Sequence, residues 1–325
     1  AGKTTTMLMI SGELQPSGGE AILGGKSVYR NLLDIFPFLG ICPQSDTLWE
    51  GMTGREHLVL CAELAGLKGA TAQNIATSLL QEFGIAEWAD KCVKTYSGGT
   101  RRKLCAALSM VGDPSILLLD EPSTGVDPIS KRRMWDFFRS RLPGRTILLT
   151  THSMAEAEAI STRVAIMSKG SLRCIGSVQS LKSRFGRGLV LQVKLPAASR
   201  ALLRMRLEEL LREKLPAAEV KEEEQEQEQG ASSSSKMLSS GSSSNNTNSI
   251  FTLHVQMKEQ ATEPSTQMPL ADLFAAMETW KEEMNIEDYC ISQVSLEQVF
   301  LKVTQTSEDG AVSSLPLPPP PPGSS

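Results

Sequence analysis

The sequence predicts an α/β protein of two domains, and three observations carry that expectation. Up to about residue 186, short apolar runs alternate with longer helical patterns, as in a sheet covered by helices. Three of those runs, Ile116 to Leu119, Thr146 to Thr150 and Arg163 to Met167, are bounded by turn or cap residues, as buried parallel strands are. After Gly186 the pattern changes to strands that alternate with period two, joined by amphipathic helices. A chain of 325 residues agrees with two domains, since one domain takes about 100 to 200.

Composition narrows the function. With 33 Lys and Arg against 37 Asp and Glu, the net charge is −4, so no overall basic field attracts nucleic acid. The six cysteines are scattered, with no Cys-x-x-Cys pair and no close histidine to complete a zinc site. They read as reduced thiols, mostly buried. No apolar run approaches the roughly 18 residues that span a bilayer, and the start lacks the pattern of a secretion signal. The chain has no initiator Met and opens inside a motif, so it is expected to be a piece whose missing part lies upstream.

In order along the first domain, residues 1–5 come first: Ala1-Gly2-Lys3-Thr4-Thr5 is the end of a Gly-x-x-x-x-Gly-Lys-Thr loop that opens a helix. Backbone N–H groups of such a loop and helix start hold phosphates, the lysine spans the β- and γ-phosphates, and the threonine hydroxyl binds Mg²⁺. Residues 46–112 show no strand and read as a helical insertion, beginning with a capping box at Thr53 and Glu56. Tyr96-Ser97-Gly98-Gly99 opens another helix with Ser97 as N-cap and two exposed glycine N–H groups, a place for an anion. Ile116 to Leu119 then runs into Asp120 and Glu121. An aspartate at the carboxyl end of a central strand can hold Mg²⁺, and the next glutamate can orient a water for attack on a γ-phosphate. Asp127 fits an N-cap with Pro128 at the first helical position. His152 lies between the strand Thr146 to Thr150 and a helix capped by Ser153 and Glu156, where a structural turn histidine also fits.

In the second domain Leu189, Leu191, Val193 and Leu195 line one strand face, and Leu203, Leu207, Leu210 and Leu211 form a helical stripe. A second strand follows at Phe251 to Met257, with His254 on its polar side. Leu270, Leu273, Phe274, Met277 and Trp280, after Pro269, form an amphipathic helix. Tyr289 to Val294 is a third strand, and Ser295 to Gln298 caps a last helix reaching Val303. Three strands and three helices make a small α/β domain over 187–303. Within it, residues 217–249 run through Glu and Gln into Ser and Asn and are expected to be disordered. The tail, 304–325, is expected to be disordered and proline-rich.

The phosphate loop, Gln44 in Cys42-Pro43-Gln44, the Ser-Gly-Gly signature, Asp120-Glu121, Ser123-Thr124-Gly125-Val126-Asp127 and His152 occur in the order seen in ABC-type ATPases. The resemblance covers residues 1 to about 186. Gly40 to Trp49, Thr53 to Leu58, Tyr96 to Gly99 and Pro122 to Pro128 look more closely like the second nucleotide-binding domain of a full-length subfamily A ABC transporter. The segment ending Ser295-Leu296-Glu297-Gln298-Val299-Phe300 resembles the regulatory domain that follows it. The resemblance implies a P-loop ATPase domain, with a parallel-sheet core and helical subdomain, followed by a small ferredoxin-like α/β regulatory domain.

It further implies ATP and Mg²⁺ as ligands. Glu121, His152 and Gln44 would be catalytic, and Thr4, Gln44 and Asp120 would hold the metal. Gly2, Lys3, Thr4 and Thr5 would bind one nucleotide, while Ser97, Gly98, Gly99 and Asp127 would act across a dimer seam on the other. Gln44 also fits an ordinary loop amide. The implied partners are the first nucleotide-binding domain of the same transporter, its transmembrane domains and coupling helices, and through them a lipid substrate. The implied place is the cytosolic face of a membrane. Tyr96 and Thr100 replace the Leu and Gln of the general signature, though Tyr is usual in this subfamily. The resemblance leaves two other readings: a soluble ABC ATPase acting on ribosomes or DNA, against which the acidic balance speaks, and a weakly hydrolysing regulatory cassette.

Overall fold

The computed structural model describes residues 1–141, 143–185, 188–195, 199–214, 218–223, 249–257, 270–283 and 285–305. They fall into two compact units that part after Val178. The first begins with α1 (Lys3–Ser11), then β1 (Ile22–Leu23) and β2 (Lys26–Ser27), α2 (Leu32–Ile35) and β3 (Leu39–Cys42). The helical insertion holds α3 (Gly54–Leu64), α4 (Ala70–Glu82) and α5 (Gly98–Leu108). There follow β4 (Ile116–Asp120), α6 (Pro128–Arg141), β5 (Thr146–Thr150), α7 (Met154–Ile160), β6 (Val164–Ser168), β7 (Ser171–Gly176) and α8 (Val178–Phe185), which crosses the boundary.

β3, β4 and β5 pair in parallel in that order, with Leu117, Leu118 and Leu119 buried in the middle strand. A strand covered on both faces needs apolar residues at consecutive positions, which is what this run supplies. One cluster of buried side chains joins the sheet to the helical insertion: Leu117 and Leu119 share it with Leu58, Leu80, Leu104 and Phe138. The insertion is therefore packed into the same core and its position is fixed. The capping box at Thr53 forms as expected, with Glu56 N–H donating to the Thr53 hydroxyl and Thr53 N–H to the Glu56 carboxylate.

Arg163 to Met167 was expected to be a parallel strand, and here the structure differs. β6 covers this region but pairs antiparallel with β7 through a two-residue turn, Lys169-Gly170, both at positive φ. Such a turn matches strand twist and folds the chain straight back, so antiparallel pairing is dictated locally. The Gly24-Gly25 turn does the same between β1 and β2, and a Gly-Gly pair between two short runs is a hairpin signal.

The second unit contains β8 (Gly188–Leu195), α9 (Arg200–Lys214), β9 (Ala218–Glu223), β10 (Ser249–Met257), α10 (Leu270–Glu283), β11 (Asp288–Gln293) and α11 (Leu296–Gln305). The order β11-β8-β10-β9, antiparallel throughout, with two β-α-β halves, is the ferredoxin-like arrangement. Leu191, Val193, Leu203, Leu207, Leu273 and Met277 form its core. Among the described residues there are four strands, not the expected three. β9 lies inside the segment expected to be disordered, and its register with β10 runs from Glu223 opposite Thr252 to Ala218 opposite Met257. Ladder hydrogen bonds to β10 supply an order that the local composition does not announce. The remaining insertion, Pro269 and the proline-rich tail lie outside the described residues. Ser295 and Gln298 exchange the two capping hydrogen bonds foreseen for the last helix, which continues to Gln305.

Candidate functional site

The carboxyl end of β4 is where the expected phosphate chemistry gathers. Asp120 is its last residue, 4% exposed, and its Oδ1 accepts a hydrogen bond from the Thr150 hydroxyl at the end of β5. A carboxylate this deeply buried is retained only with donors around it. Glu121 follows in the left-handed region, at φ 50°, a strain of about 1–3 kcal/mol for a non-glycine residue. The Glu121 N–H donates to the Thr150 carbonyl at 3.0 Å, holding that turn against the sheet. Strain of this size persists where surrounding bonds over-determine it, and it places the carboxylate just beyond the strand end.

Three groups meet the Glu121 carboxylate. Lys3 Nζ lies 3.8 Å from Oε1, while His152 Nδ1 lies 3.1 Å and the Thr124 hydroxyl 3.2 Å from Oε2. The Glu121 side chain is 15% exposed and the His152 ring 65%, so the histidine approaches from the solvent side. Lys3, Glu121 and His152 are thus brought together.

Lys3 opens α1, whose N-cap Gly2 has φ 98° and no side chain to satisfy the first N–H groups. That leaves a bare helix N-terminus beside a lysine, a combination suited to phosphate oxygens. The Thr4 hydroxyl donates to Gln44 Oε1 at 3.3 Å, joining the first turn of α1 to the loop after β3. Thr5 is exposed on the same turn. Thr4, Gln44 and Asp120 offer only oxygen donors, a set that suits Mg²⁺, which takes few protein ligands and keeps waters and phosphate oxygens for the rest. Among the described residues no group of three His, Cys, Asp or Glu side chains could hold a metal by itself.

The signature segment is built differently. Ser97 caps α5 by accepting the Thr100 N–H at 3.2 Å, and the two hydroxyls lie 2.8 Å apart. Thr100, in place of the general glutamine, is therefore a second hydroxyl on the cap. Tyr96, in place of leucine, buries its ring edge-on to Trp88 and donates its hydroxyl to the Trp88 carbonyl at 2.5 Å. That hydroxyl fills the space where Gly54 would carry a Cβ. A Cβ on Gly99 would lie 2.8 Å from the Gly125 carbonyl oxygen, whereas one on Gly98 would meet nothing within 4 Å. Gly99 thus allows α5 to approach the turn leading to Asp127, and Gly98 leaves an open face.

Asp127 caps α6: its Oδ1 accepts the Ser130 N–H at 2.9 Å, and that bond holds its carboxyl below the usual range. The capping role is thus visible within this chain. Ser153 accepts the Glu156 N–H, but the buried Glu156 carboxylate takes the Trp135 indole N–H instead of completing a box. His57, in the first turn of α3, is 2% exposed. Its ring sits between the Thr53 carbonyl, 2.7 Å from Nδ1, and the Trp49 N–H, 2.9 Å from Nε2, so it pins the loop after Gln44 to α3.

Arg102, between Arg101 and Lys103, was not among the expected site residues, yet it is 4% exposed. The signal was available in its spacing, three and four residues before the buried Cys105 and Ala106 on one helix face.

The ABC transporter family model matches residues 1–124, and an AAA domain model matches 92–158. The rat phospholipid-transporting ATPase ABCA3 is 36% identical over 95% of this chain. The human retinal-specific phospholipid-transporting ATPase ABCA4 is 34% identical over 98%, and the human phospholipid-transporting ATPase ABCA7 37% over 93%. The chain spans 17%, 13% and 12% of those three relatives. A solved structure of the ATP-binding subunit of an ABC transporter superposes with TM-score 0.53 at 26% identity, covering 57% of this chain and 78% of that one.

Proposed function

We propose, for a chain that carries the ATP-binding domain of an ABC transporter and is similar to its subfamily A members, that it is the ATP-hydrolysing motor of a phospholipid transporter. The observation that carries this is the Glu121 carboxylate at the end of β4, met by Lys3 and His152, with Thr4 and Gln44 hydrogen-bonded in the same unit. Lys3 and the bare start of α1 bind the β- and γ-phosphates, with Gly2 and Thr5 shaping that turn. Thr4, Gln44 and Asp120 would hold Mg²⁺, which would supply charge neutralisation to the phosphate oxygens. Glu121 accepts a hydrogen bond from a water and aligns its oxygen with the γ-phosphorus. The water oxygen bonds to the γ-phosphorus as the bond to the bridging oxygen breaks, ADP leaves with that oxygen, the water's proton is released with the phosphate product, and His152 with Lys3 stabilises charge on the transferring phosphoryl group.

Ser97, Gly98 and Gly99 serve the nucleotide held by the opposite cassette, the first nucleotide-binding domain of the same transporter, and Asp127 lies at the seam. The stroke passes to coupling helices of transmembrane domains, which handle the lipid. Among the described residues no helix is long and apolar enough to cross a membrane. The similarity to membrane transporters supports assigning the chain to the cytosolic face, with the spans elsewhere in the transporter.

The test uses the intact transporter in proteoliposomes. ATP should drive movement of a labelled phospholipid between leaflets, and Glu121→Gln should cut phosphate release about 10³-fold while bound ATP is retained. Undiminished phosphate release would remove Glu121 from its role. Brisk hydrolysis without any lipid movement would refute the transport assignment.

A further inference from the structure

Arg102 stands in the second turn of α5, five positions after Ser97, and its guanidinium reaches the site at the end of β4. Nε donates to the Glu121 carbonyl at 3.1 Å, and one terminal nitrogen donates to the Asp120 carbonyl. The other terminal nitrogen reaches the carbonyls of Pro43 at 2.6 Å and Gln44 at 3.2 Å, and Asp46 Oδ1 at 3.4 Å. One planar cation thus contacts both residues of the acidic turn and three of the loop after β3. At 4% exposure it is shielded from water, so these contacts replace its hydration.

Parallel strands end with carbonyls that have lost their ladder partners, and β3 and β4 end side by side. Arg102 satisfies four such carbonyls at once. Its Nε also holds the strained Glu121 turn from the carbonyl side, opposite the bond from the Glu121 N–H to Thr150. The backbone of α5 that carries Arg102 is the backbone whose first turn presents Ser97, Gly98 and Gly99.

We propose that Arg102 is a positioning residue that couples the signature helix to hydrolysis, setting Glu121 and Gln44 according to what binds at the start of α5. The inference rests on the ATPase reading. A displacement of α5 on binding is carried by a packed helix and a multidentate guanidinium to two backbones at once, so Glu121 is aligned when the signature segment is engaged. Lysine keeps the charge but loses the planar fork, so it cannot hold the Glu121 and Gln44 carbonyls in one geometry.

The experiment measures steady-state ATPase activity and melting of the intact transporter carrying Arg102→Lys, Ser97→Ala, both together, or Asp46→Asn. Arg102→Lys should lower kcat ten- to a hundredfold with KM changed less than threefold and melting little altered. Combined with Ser97→Ala, it should cost no more than the worse single change, because the two act along one route. Wild-type kcat in Arg102→Lys, or fully additive losses, would overturn the coupling. A kcat loss accompanied by a matching loss of melting temperature would reduce Arg102 to a structural residue. Should Arg102→Lys not fold, Asp46→Asn decides: removing the one carboxylate on the guanidinium should lower kcat severalfold at constant KM, and an unchanged kcat refutes the proposal. A wild type that releases no phosphate defeats the ATPase reading itself, whereas silent variants of an active wild type defeat only the coupling.

Discussion

The end of β4 and the start of α5 both face phosphate in the proposed mechanism, yet they are built on opposite terms. At the end of β4 the functional groups are charged, partly buried and held by several partners: Asp120 by Thr150, and Glu121 by Lys3, His152 and Thr124. The backbone there is strained, with Glu121 at φ 50°. At the start of α5 Ser97 and Gly98 are neutral and exposed, the backbone is an ordinary capped helix, and the working parts are N–H groups left open on the side of Gly98. Chemistry needs charges fixed within a fraction of an ångström, and that requires support from several directions. Binding an anion from another cassette needs an unobstructed dipole end, and side chains there would only intrude. Substitutions should therefore fail for different reasons at the two places.

The largest contrast is between the two glycines of the signature. Gly99→Ala drives a methyl against the Gly125 carbonyl oxygen, backbone against backbone, so α5 or the turn before Asp127 must move. In the intact transporter its ATP turnover should fall about ten- to a hundredfold, a shift of ~1.4 kcal/mol per decade. Gly98→Ala meets no protein atom and should leave melting unchanged. Any loss of turnover in Gly98→Ala then reports obstruction of the ligand side alone. Equal melting losses in both variants would break the distinction drawn between a packing glycine and a binding glycine.

At the other pole, Thr150→Val removes the hydroxyl that Asp120 accepts, leaving a 4% exposed carboxylate short of a donor. The expected cost is about 1–3 kcal/mol of stability, read by chemical denaturation, together with a weaker response of turnover to Mg²⁺. Ser97→Ala removes an N-cap on the surface and should cost about 1 kcal/mol. If the exposed cap proved costlier than the buried hydroxyl, the contrast between supported charge and bare dipole would be misplaced.

How far each pole was legible in the sequence follows from the same contrast. Lys3, Asp120, Glu121 and Ser97 were readable because phosphate chemistry fixes residue types at fixed places around strand ends and helix starts. Arg102 was not, because a basic residue between Arg101 and Lys103 looks solvated until the carbonyls it satisfies are known. β4 was plain from four consecutive apolar residues, whereas β9, Ala-Glu-Val-Lys-Glu-Glu, gains its strand from pairing at the sheet edge. Pairing partners distant in sequence leave no mark on local composition. The direction of β6 was misjudged because its apolar run says "strand" without saying which neighbour it has, and the Lys169-Gly170 turn decided that.

The smallest expected effect probes the junction between the poles. Cys42 ends β3 and Cys105 lies in α5 three residues beyond Arg102, so the two thiols belong to the segments that the guanidinium joins. Burial pushes the Cys42 thiol up to about 11 and Cys105 to about 12, and the nearby Asp46 carboxylate adds to both shifts. A raised folded-state pKa means the folded chain keeps its protons longer than the unfolded one. The contribution is then fully present below about pH 9 and lost as pH rises through 11 to 12. Denaturation midpoints should fall with pH from about 9 upward, and Cys42→Ala with Cys105→Ala should flatten that slope while leaving it unchanged below pH 8. An alkaline slope identical in the double variant would mean that the junction is open to water, and that the guanidinium bridging it is not shielded enough to hold Glu121 and Gln44 together.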